Sequence, residues 1–349
     1  MKKIKLGKTG LMVSCIGFGS IPIQRISEDK AITVIERCLD LGINFLDTAN
    51  GYTTSEERIG KVISGQRDKI ILATKSMAQT PDEIKSHLEL SLKRLGTEYI
   101  ELYLFHNVSD ANTLKTILDP NGPRAVIEEA KKSGVVRHIG FSSHQIDIAR
   151  EAVKSGYFEI IMFPFNFIFD EAKDKLLPLV RERGMGFIGM KPLAGGMIDK
   201  ANLAIKYVLR FPDVIPMAGI ETVNEIEEIA KIVEEEQAMT EDEQAEMERI
   251  KQEVGSRFCR RCDYCQPCTQ GISISGVMSY PTLIKRINPE RLFVVKWFTE
   301  PFEKATECID CGECEERCPY QLPIREMMTE YVSQYEAEKK KYEATLNSD

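Results

Sequence analysis

The chain has 349 residues and a formal net charge of −8. That length exceeds one small core and suits one large domain plus a smaller one. The acidic balance excludes nucleic acid as a bulk electrostatic partner. The opening Met1-Lys2-Lys3-Ile4-Lys5-Leu6-Gly7 carries no apolar run behind its charges, so it does not read as a secretory leader. The most apolar stretch, residues 158–169, is too short to span a bilayer and contains Pro164 and Asn166. It reads as a buried strand, and no membrane association is expected. Ten cysteines without an export signal point to a reducing, cytoplasmic setting and to metal rather than disulfides.

In chain order, residues 1–12 read as a short hairpin around Gly7 and Gly10, placed to plug a barrel floor. Strand-like segments rich in branched or aromatic residues then follow at 13–19, 44–47, 70–75, 100–106, 136–142, 160–165, 185–191 and 214–218. Helix-like segments lie between them. Residues 31–41 place Ile32, Ile35 and Leu39 at three- and four-residue spacing, and residues 81–95 open on Pro81 and stop at Gly96. Strand–helix units in series predict an α/β fold whose parallel sheet closes into a (β/α)8 TIM barrel over residues 1–235. An open doubly wound sheet is the alternative. The strand count, and the absence of a glycine fingerprint after the first strand, favour the barrel. A polar, glutamate-rich linking helix is expected over 236–255, starting near Glu234. Gly255-Ser256 then opens a small α-helical domain over 256–330, followed by a charged helical tail over 331–349.

The small domain holds two cysteine runs. The second is Cys308-x2-Cys311-x2-Cys314-x3-Cys318-Pro319, the spacing of bacterial ferredoxins with the proline after the fourth cysteine. Soft thiolates suit iron–sulfur clusters, and two-residue gaps let one loop wrap three sulfurs around one cube. The first run, Cys259-x2-Cys262-x2-Cys265-x2-Cys268, departs from that spacing: its last gap is two residues, and Thr269 stands where proline is expected. The fourth cysteine of such a run usually serves the other cluster. One 4Fe-4S cluster is therefore expected on Cys259, Cys262, Cys265 and Cys318, the other on Cys308, Cys311, Cys314 and Cys268. A four-cysteine zinc site is the competing reading, but zinc sites usually split their ligands into two separated pairs. Cys15 and Cys38 fall on a strand and a helix face and read as small core residues.

In the barrel, Asp47, Lys75 and His106 fall at the C-terminal ends of three consecutive strands, and Tyr52 follows Asp47 by five residues. That face of a β/α barrel carries the active site. A tyrosine is a weak acid until a nearby ammonium stabilises its phenolate; Lys75 can do this, and Asp47 can hold Lys75. His106 can hydrogen-bond the same substrate oxygen, so the four could protonate a carbonyl as hydride reaches its carbon. Singly, each has a plainer reading: Asp47 as a turn cap, Lys75 as a solvated strand end, Tyr52 as loop packing. Of the other histidines, His87 reads as exposed on a polar helix, while His138 and His144 flank a strand end and stay ambiguous.

These segments resemble the aldo/keto reductase superfamily: Asn44-Phe45-Leu46-Asp47-Thr48-Ala49-Asn50-Gly51-Tyr52, Ser55-Glu56 with Gly60, Ala73-Thr74-Lys75 and Leu104-Phe105-His106. The likeness continues through Ile139-Gly140-Phe141-Ser142-Ser143 and Met190-Lys191-Pro192-Leu193-Ala194-Gly195-Gly196. The whole chain resembles the branch with a C-terminal ferredoxin-like domain. The resemblance implies Tyr52 as general acid/base, tuned by Lys75 and Asp47, with His106 orienting the carbonyl. It also implies an extended nicotinamide cofactor across the barrel top. Gly19 and Ser20 would line the entry with Asp47, and Ser142 and Ser143 would lie near the carboxamide. Lys191, Pro192, Leu193, Gly195, Gly196, Gly219, Thr222 and Glu228 would lie near the phosphates and adenosine. Thr222 with Glu225 also reads as a capping box whose helix N-terminus attracts anions. The sequence departs from the family at Ser143, where asparagine is frequent, and near Met162, where glutamine is frequent; Asn166 is the substitute expected to grip the carboxamide. Around Glu221 there are glutamates and no arginine, which disfavours a 2′-phosphate and favours NAD(H) over NADP(H).

Two functions follow. The first is an NAD(P)(H)-dependent oxidoreductase acting reversibly on a small carbonyl or alcohol, accompanied by two clusters. A flavin would reconcile one-electron clusters with two-electron hydride, though no motif demands one. The second is an electron-transfer or nicotinamide-sensing module, in which the clusters relay electrons or are structural. Arg257, Arg260 and Arg261 form a basic group that could meet an acidic ferredoxin- or flavodoxin-like partner.

Overall fold

Strands buried on both faces need near-continuous apolar runs, and the segments singled out above supply them. The computed structural model describes residues 1–235 and 238–346. Its strands are β1 (Lys3–Lys5), β2 (Met12–Ser14), β3 (Gly17–Gly19), β4 (Phe45–Asp47), β5 (Ile71–Ser76), β6 (Ile100–Phe105), β7 (Val136–Ser142), β8 (Ile160–Pro164), β9 (Gly186–Met190) and β10 (Val214–Gly219). The strands β3 to β10 close into a parallel barrel in the order β10-β3-β4-β5-β6-β7-β8-β9. This is the expected (β/α)8 architecture. The expected first strand, 13–19, divides in two. Asn44 explains the break: its Oδ1 accepts from Ser14 N at 2.6 Å, and its own N–H donates to Ser14 Oγ at 3.1 Å. Met12–Ser14 therefore stays with the hairpin, pairing antiparallel to β1.

The hairpin closes the N-terminal end of the barrel. Leu6 and Val13 are fully buried and share the barrel interior with Phe45, Leu102, Leu104, Ile160, Ile188 and Ile215. Gly7 permits the approach: its φ is +54°, and a Cβ there would lie 2.3 Å from Gly186 N at the start of β9. With its N-terminal end filled by side chains, the barrel is left to act at the other.

The helix Pro81–Leu95 starts where Thr80 accepts from Glu83 N and ends on left-handed Gly96. Its inward stripe is Ile84, Leu88, Ser91 and Leu95. His87 departs from the exposed position expected of it. It flanks that stripe, is half-buried, and its Nδ1 lies 2.7 Å from Ser76 Oγ at the end of β5. Cys38 is fully buried and Cys15 nearly so, both as free thiols.

The chain forms two compact units: Met1–Ala194 with Asp199–Gln244, and Gly195–Ile198 with the residues from Ala245 onward. Of the glutamate-rich linking helix expected over 236–255, residues 236 and 237 lie outside the described residues; the helix runs Glu241–Gly255. Thr240 Oγ1 accepts from Glu243 N, and Glu243 Oε2 accepts from Thr240 N, a capping box that fixes its start. The second unit contains the helices Ile274–Met278, Pro289–Val294, Lys296–Ala305, Glu313–Glu316 and Ile324–Leu346. Two residues of the expected charged tail belong to its core. Tyr331 and Tyr335 are buried, and the Tyr335 ring stacks on Phe302 with centroids 4.0 Å apart. Among the described residues no helix is long and apolar enough to cross a membrane.

Candidate active site and cysteine-lined cavities

The barrel register brings the strand ends together. Gly19 lies beside both Gly219 and Asp47, and Lys75 pairs with Leu104 two residues before His106. Lys75 is fully buried, and its Nζ donates to Asp47 Oδ1 and Oδ2, each at 2.7 Å, and to Thr48 O at 2.6 Å. Burial opposes the charge on Lys75, but the Asp47 carboxylate and a hydrogen bond with Tyr52 outweigh it, so its pKa is raised. Burial pushes the Asp47 carboxyl up, against the pull of Lys75. The twin short contacts make the two an ion pair, with the ammonium 4.9 Å from the centre of the Tyr52 ring. His106 meets that ring edge-on, centroids 5.9 Å apart. Burial first, and the Lys75 charge second, push His106 down to about 3, so its imidazole is neutral near pH 7. All four residues named from the sequence therefore converge on one point.

The loop carrying Tyr52 is tied down at both ends. Tyr52 N donates to Ala49 O, and Ser55 N donates to Tyr52 O. Ser55 Oγ lies 2.7 Å from Ser20 Oγ, and Ser20 Oγ donates to Asp47 O at 2.7 Å. Thr53 takes a left-handed φ of +36°, backbone strain placed directly after Tyr52.

The residues named for the cofactor take several kinds of position. Asn166 is buried and committed to its own loop: Oδ1 accepts from Ile168 N and Phe169 N, and Nδ2 donates to Lys191 O. Those bonds weigh against the carboxamide role expected of it. Ser142 Oγ accepts from Asn107 N, and Ser143 Oγ from Gln145 N. Lys191, Ala194, Gly195 and Gly196 all have positive φ, on either side of Pro192 and Leu193. The Thr222–Glu225 capping box forms, with Glu225 N donating to Thr222 Oγ1 and Glu225 Oε2 accepting from Thr222 N. Glu228 lies exposed on the helix that follows. Glu221 is held by Arg25, with an Nη2 contact of 2.6 Å.

Lys191, expected near the phosphates, and His144, ambiguous from sequence, join Asn107 in a chain just past strands β6, β7 and β9 that the sequence did not suggest. His144 Nδ1 lies 3.1 Å from Asn107 Oδ1, and His144 Nε2 lies 2.9 Å from Lys191 Nζ. An ammonium only donates, so Nε2 accepts and the imidazole proton sits on Nδ1, facing Asn107. The available signal was position alone, since all three follow a barrel strand within two residues.

In the second unit the cysteines line two cavities. Cys259, Cys262, Cys265 and Cys318 line one of them. Cys268, Cys308, Cys311 and Cys314 line the other, which Cys265 also borders. All are free thiols, and Arg261 N donates to Cys259 Sγ at 3.4 Å. Four soft thiol donors around each cavity, with an amide aimed at sulfur in the first, fit an iron–sulfur cube in each. Among the described residues no three His, Cys, Asp or Glu side chains are grouped to hold a single metal ion. The basic group is engaged internally. Arg257 pairs with Glu326 and Glu330, Arg260 stacks on Tyr320 at 3.9 Å, and burial lowers the pKa of Arg261. It does not offer the loose cationic face expected for an acidic partner.

The model of the Aldo/keto reductase family matches residues 15–203. The chain belongs to that family. A 4Fe-4S dicluster domain matches residues 258–323, so this aldo/keto reductase carries such a domain at its C-terminal side. Among curated proteins it is similar to the uncharacterized oxidoreductase YqkF of Bacillus subtilis, 32% identical over 58% of this chain and 68% of that protein. The NADH-specific methylglyoxal reductase of Escherichia coli is 29% identical over 57% of this chain and 69% of its own. Among solved structures, the aldo-keto reductase AKR11C1 from Bacillus halodurans superposes with a TM-score of 0.62 and 28% identity. It covers 72% of this chain and 96% of its own.

Proposed function

We propose that this aldo/keto reductase catalyses reversible, nicotinamide-dependent reduction of a small carbonyl compound, with Tyr52 as general acid/base. The observation that carries this reading is the buried Asp47–Lys75 ion pair with its ammonium against Tyr52. The bound nicotinamide supplies the hydride. Tyr52 gives its proton to the carbonyl oxygen, and Lys75 stabilises the phenolate left behind. Asp47 fixes Lys75, and neutral His106 donates a hydrogen bond to the same oxygen without competing as an acid. In the reverse direction the phenolate takes the proton from an alcohol.

We read NADH as preferred over NADPH. Glu221 and Glu225 stand at the opening of the helix after β10, and Arg25 is already paired with Glu221. The relationship to an NADH-specific reductase supports the same preference. Cys259, Cys262, Cys265 and Cys318 would hold one cluster, and Cys268, Cys308, Cys311 and Cys314 the other; the lining of the two cavities supports this division.

The test is anaerobic turnover of iron-replete protein with NADH or NADPH against a panel of small aldehydes and ketones, methylglyoxal included. Carbonyl-dependent loss of NADH absorbance is expected. Full iron content with no turnover by either cofactor would leave the barrel as a nicotinamide-binding module and overturn the proposal.

A further inference from the structure

The two cysteine runs are alike in sequence and unlike in surroundings. In the second run, residues 306–311 are exposed without a break. They include Cys308 and Cys311, and Ile309 between them is 61% exposed. In the first run Cys259 and Cys262 are only partly exposed and Cys265 is buried. There Arg260 stacks on Tyr320, and Arg261 presents its amide to Cys259.

Charge follows the same divide. Glu307, Asp310, Glu313, Glu315 and Glu316 surround the second run, against Lys304, Arg317 and Arg325, which pair with four of them. The first run holds Arg260 and Arg261 against Asp263. Electron transfer weakens steeply with each layer of protein between donor and acceptor. The second run has the thinner cover, and although four of its five carboxylates are paired, they still outnumber the three cations, which leaves a net negative rim.

We infer that the cluster held by Cys268, Cys308, Cys311 and Cys314 is the electron port of the protein, and that its acidic rim fits a one-electron carrier with a cationic contact face. At that port the reduced cluster loses one electron and the carrier gains one; no bond or proton moves. This rests on the reading that the two runs hold two clusters. Iron and sulfide are therefore measured first, so that a failure of that reading shows as missing iron and not as an altered rate.

The experiment reduces the whole protein with dithionite and removes the excess. It then follows reoxidation by stopped-flow absorbance with hexaammineruthenium(III), a cation, or ferricyanide, an anion. Added salt is expected to slow the fast phase with the cation and to speed it with the anion, because screening removes attraction in one case and repulsion in the other. Ile309→Lys should raise the low-salt ferricyanide rate by roughly three- to tenfold. Tyr264→Lys, the same change at an exposed position of the first run, should leave the fast phase within about twofold. Salt slopes of the opposite sign, or a fast phase that answers to Tyr264→Lys and not to Ile309→Lys, would overturn the port. If Ile309→Lys loses iron, Glu316→Lys on the same rim takes its place, because a chain of net charge −8 gives salt slopes of this sign for a port anywhere on its surface.

Discussion

At the barrel mouth the reactive groups are complete without a guest. Lys75 has its carboxylate, its carbonyl and its tyrosine within reach, and a network through Ser20 and Ser55 fixes the loop that carries Tyr52. In the second unit the reverse holds. Cys265, packed among the residues of that core, borders both cavities, so the natural filling of the unit is the guest. The contrast teaches where each region draws its order. The barrel owes its order to a closed ring of hydrogen-bonded strands around an apolar interior, whereas the cysteine unit packs a smaller apolar core beside cysteine-lined cavities, where bound clusters would add to its order. Structural metal binding can supply a large share of a small domain's folding free energy.

Removing iron is therefore the largest perturbation expected. Oxidation and chelation should abolish the cooperative thermal transition of the second unit and leave that of the barrel in place, as read by calorimetry. A single transition unchanged by iron removal would break the comparison. Cys265→Ser should cost more iron than Cys308→Ser, because one position is buried between cavities and the other is exposed.

Next in size is Lys75→Met. It strands the Asp47 carboxylate in the interior, at a cost of about 3–5 kcal/mol in stability. The double variant with Asp47→Asn should recover much of that loss in chemical denaturation but none of the activity. Additive losses would show that the two residues do not act as a pair.

These outcomes bear on what the sequence could disclose. The barrel was legible because its strands are apolar runs at regular intervals, and the quartet because consecutive strand ends lie side by side in a closed parallel sheet. Spacing carried the expected division of the cysteines, and the linings of the two cavities are compatible with it. The start of the helix at Glu241 turned on a capping box at Thr240 hidden in a glutamate-rich stretch. The burial of Tyr331 and Tyr335 turned on Phe302, too distant in sequence to suggest it. The Asn107–His144–Lys191 chain depends on how three separate loops fold over the barrel, which no local pattern encodes. The carboxamide role expected of Asn166 followed from the family resemblance, whereas its amide braces its own loop.

A smaller effect should come from pH. With its folded pKa held near 3, His106 stays neutral in the native state while the unfolded chain takes up a proton as pH falls below about 6.5. The unfolded state thus binds more protons in that window, and stability falls as pH drops from about 6.5 towards 3, by at most about 1.4 kcal/mol per pH unit. His106→Gln should flatten that part of the stability profile; an unchanged slope would show that His106 already titrates normally. The smallest expected change is at the cofactor. Glu221→Gln should release Arg25 and raise kcat/KM for NADPH relative to NADH several-fold, whereas no change would remove Glu221 from cofactor choice.

The most direct test of the central claim, that the chemistry belongs to the barrel, is carbonyl reduction by Tyr52→Phe compared with wild type at matched iron content. The Asp47–Lys75–Tyr52 arrangement predicts a fall in kcat of about 10²- to 10⁴-fold with both clusters intact. Unchanged turnover would contradict it.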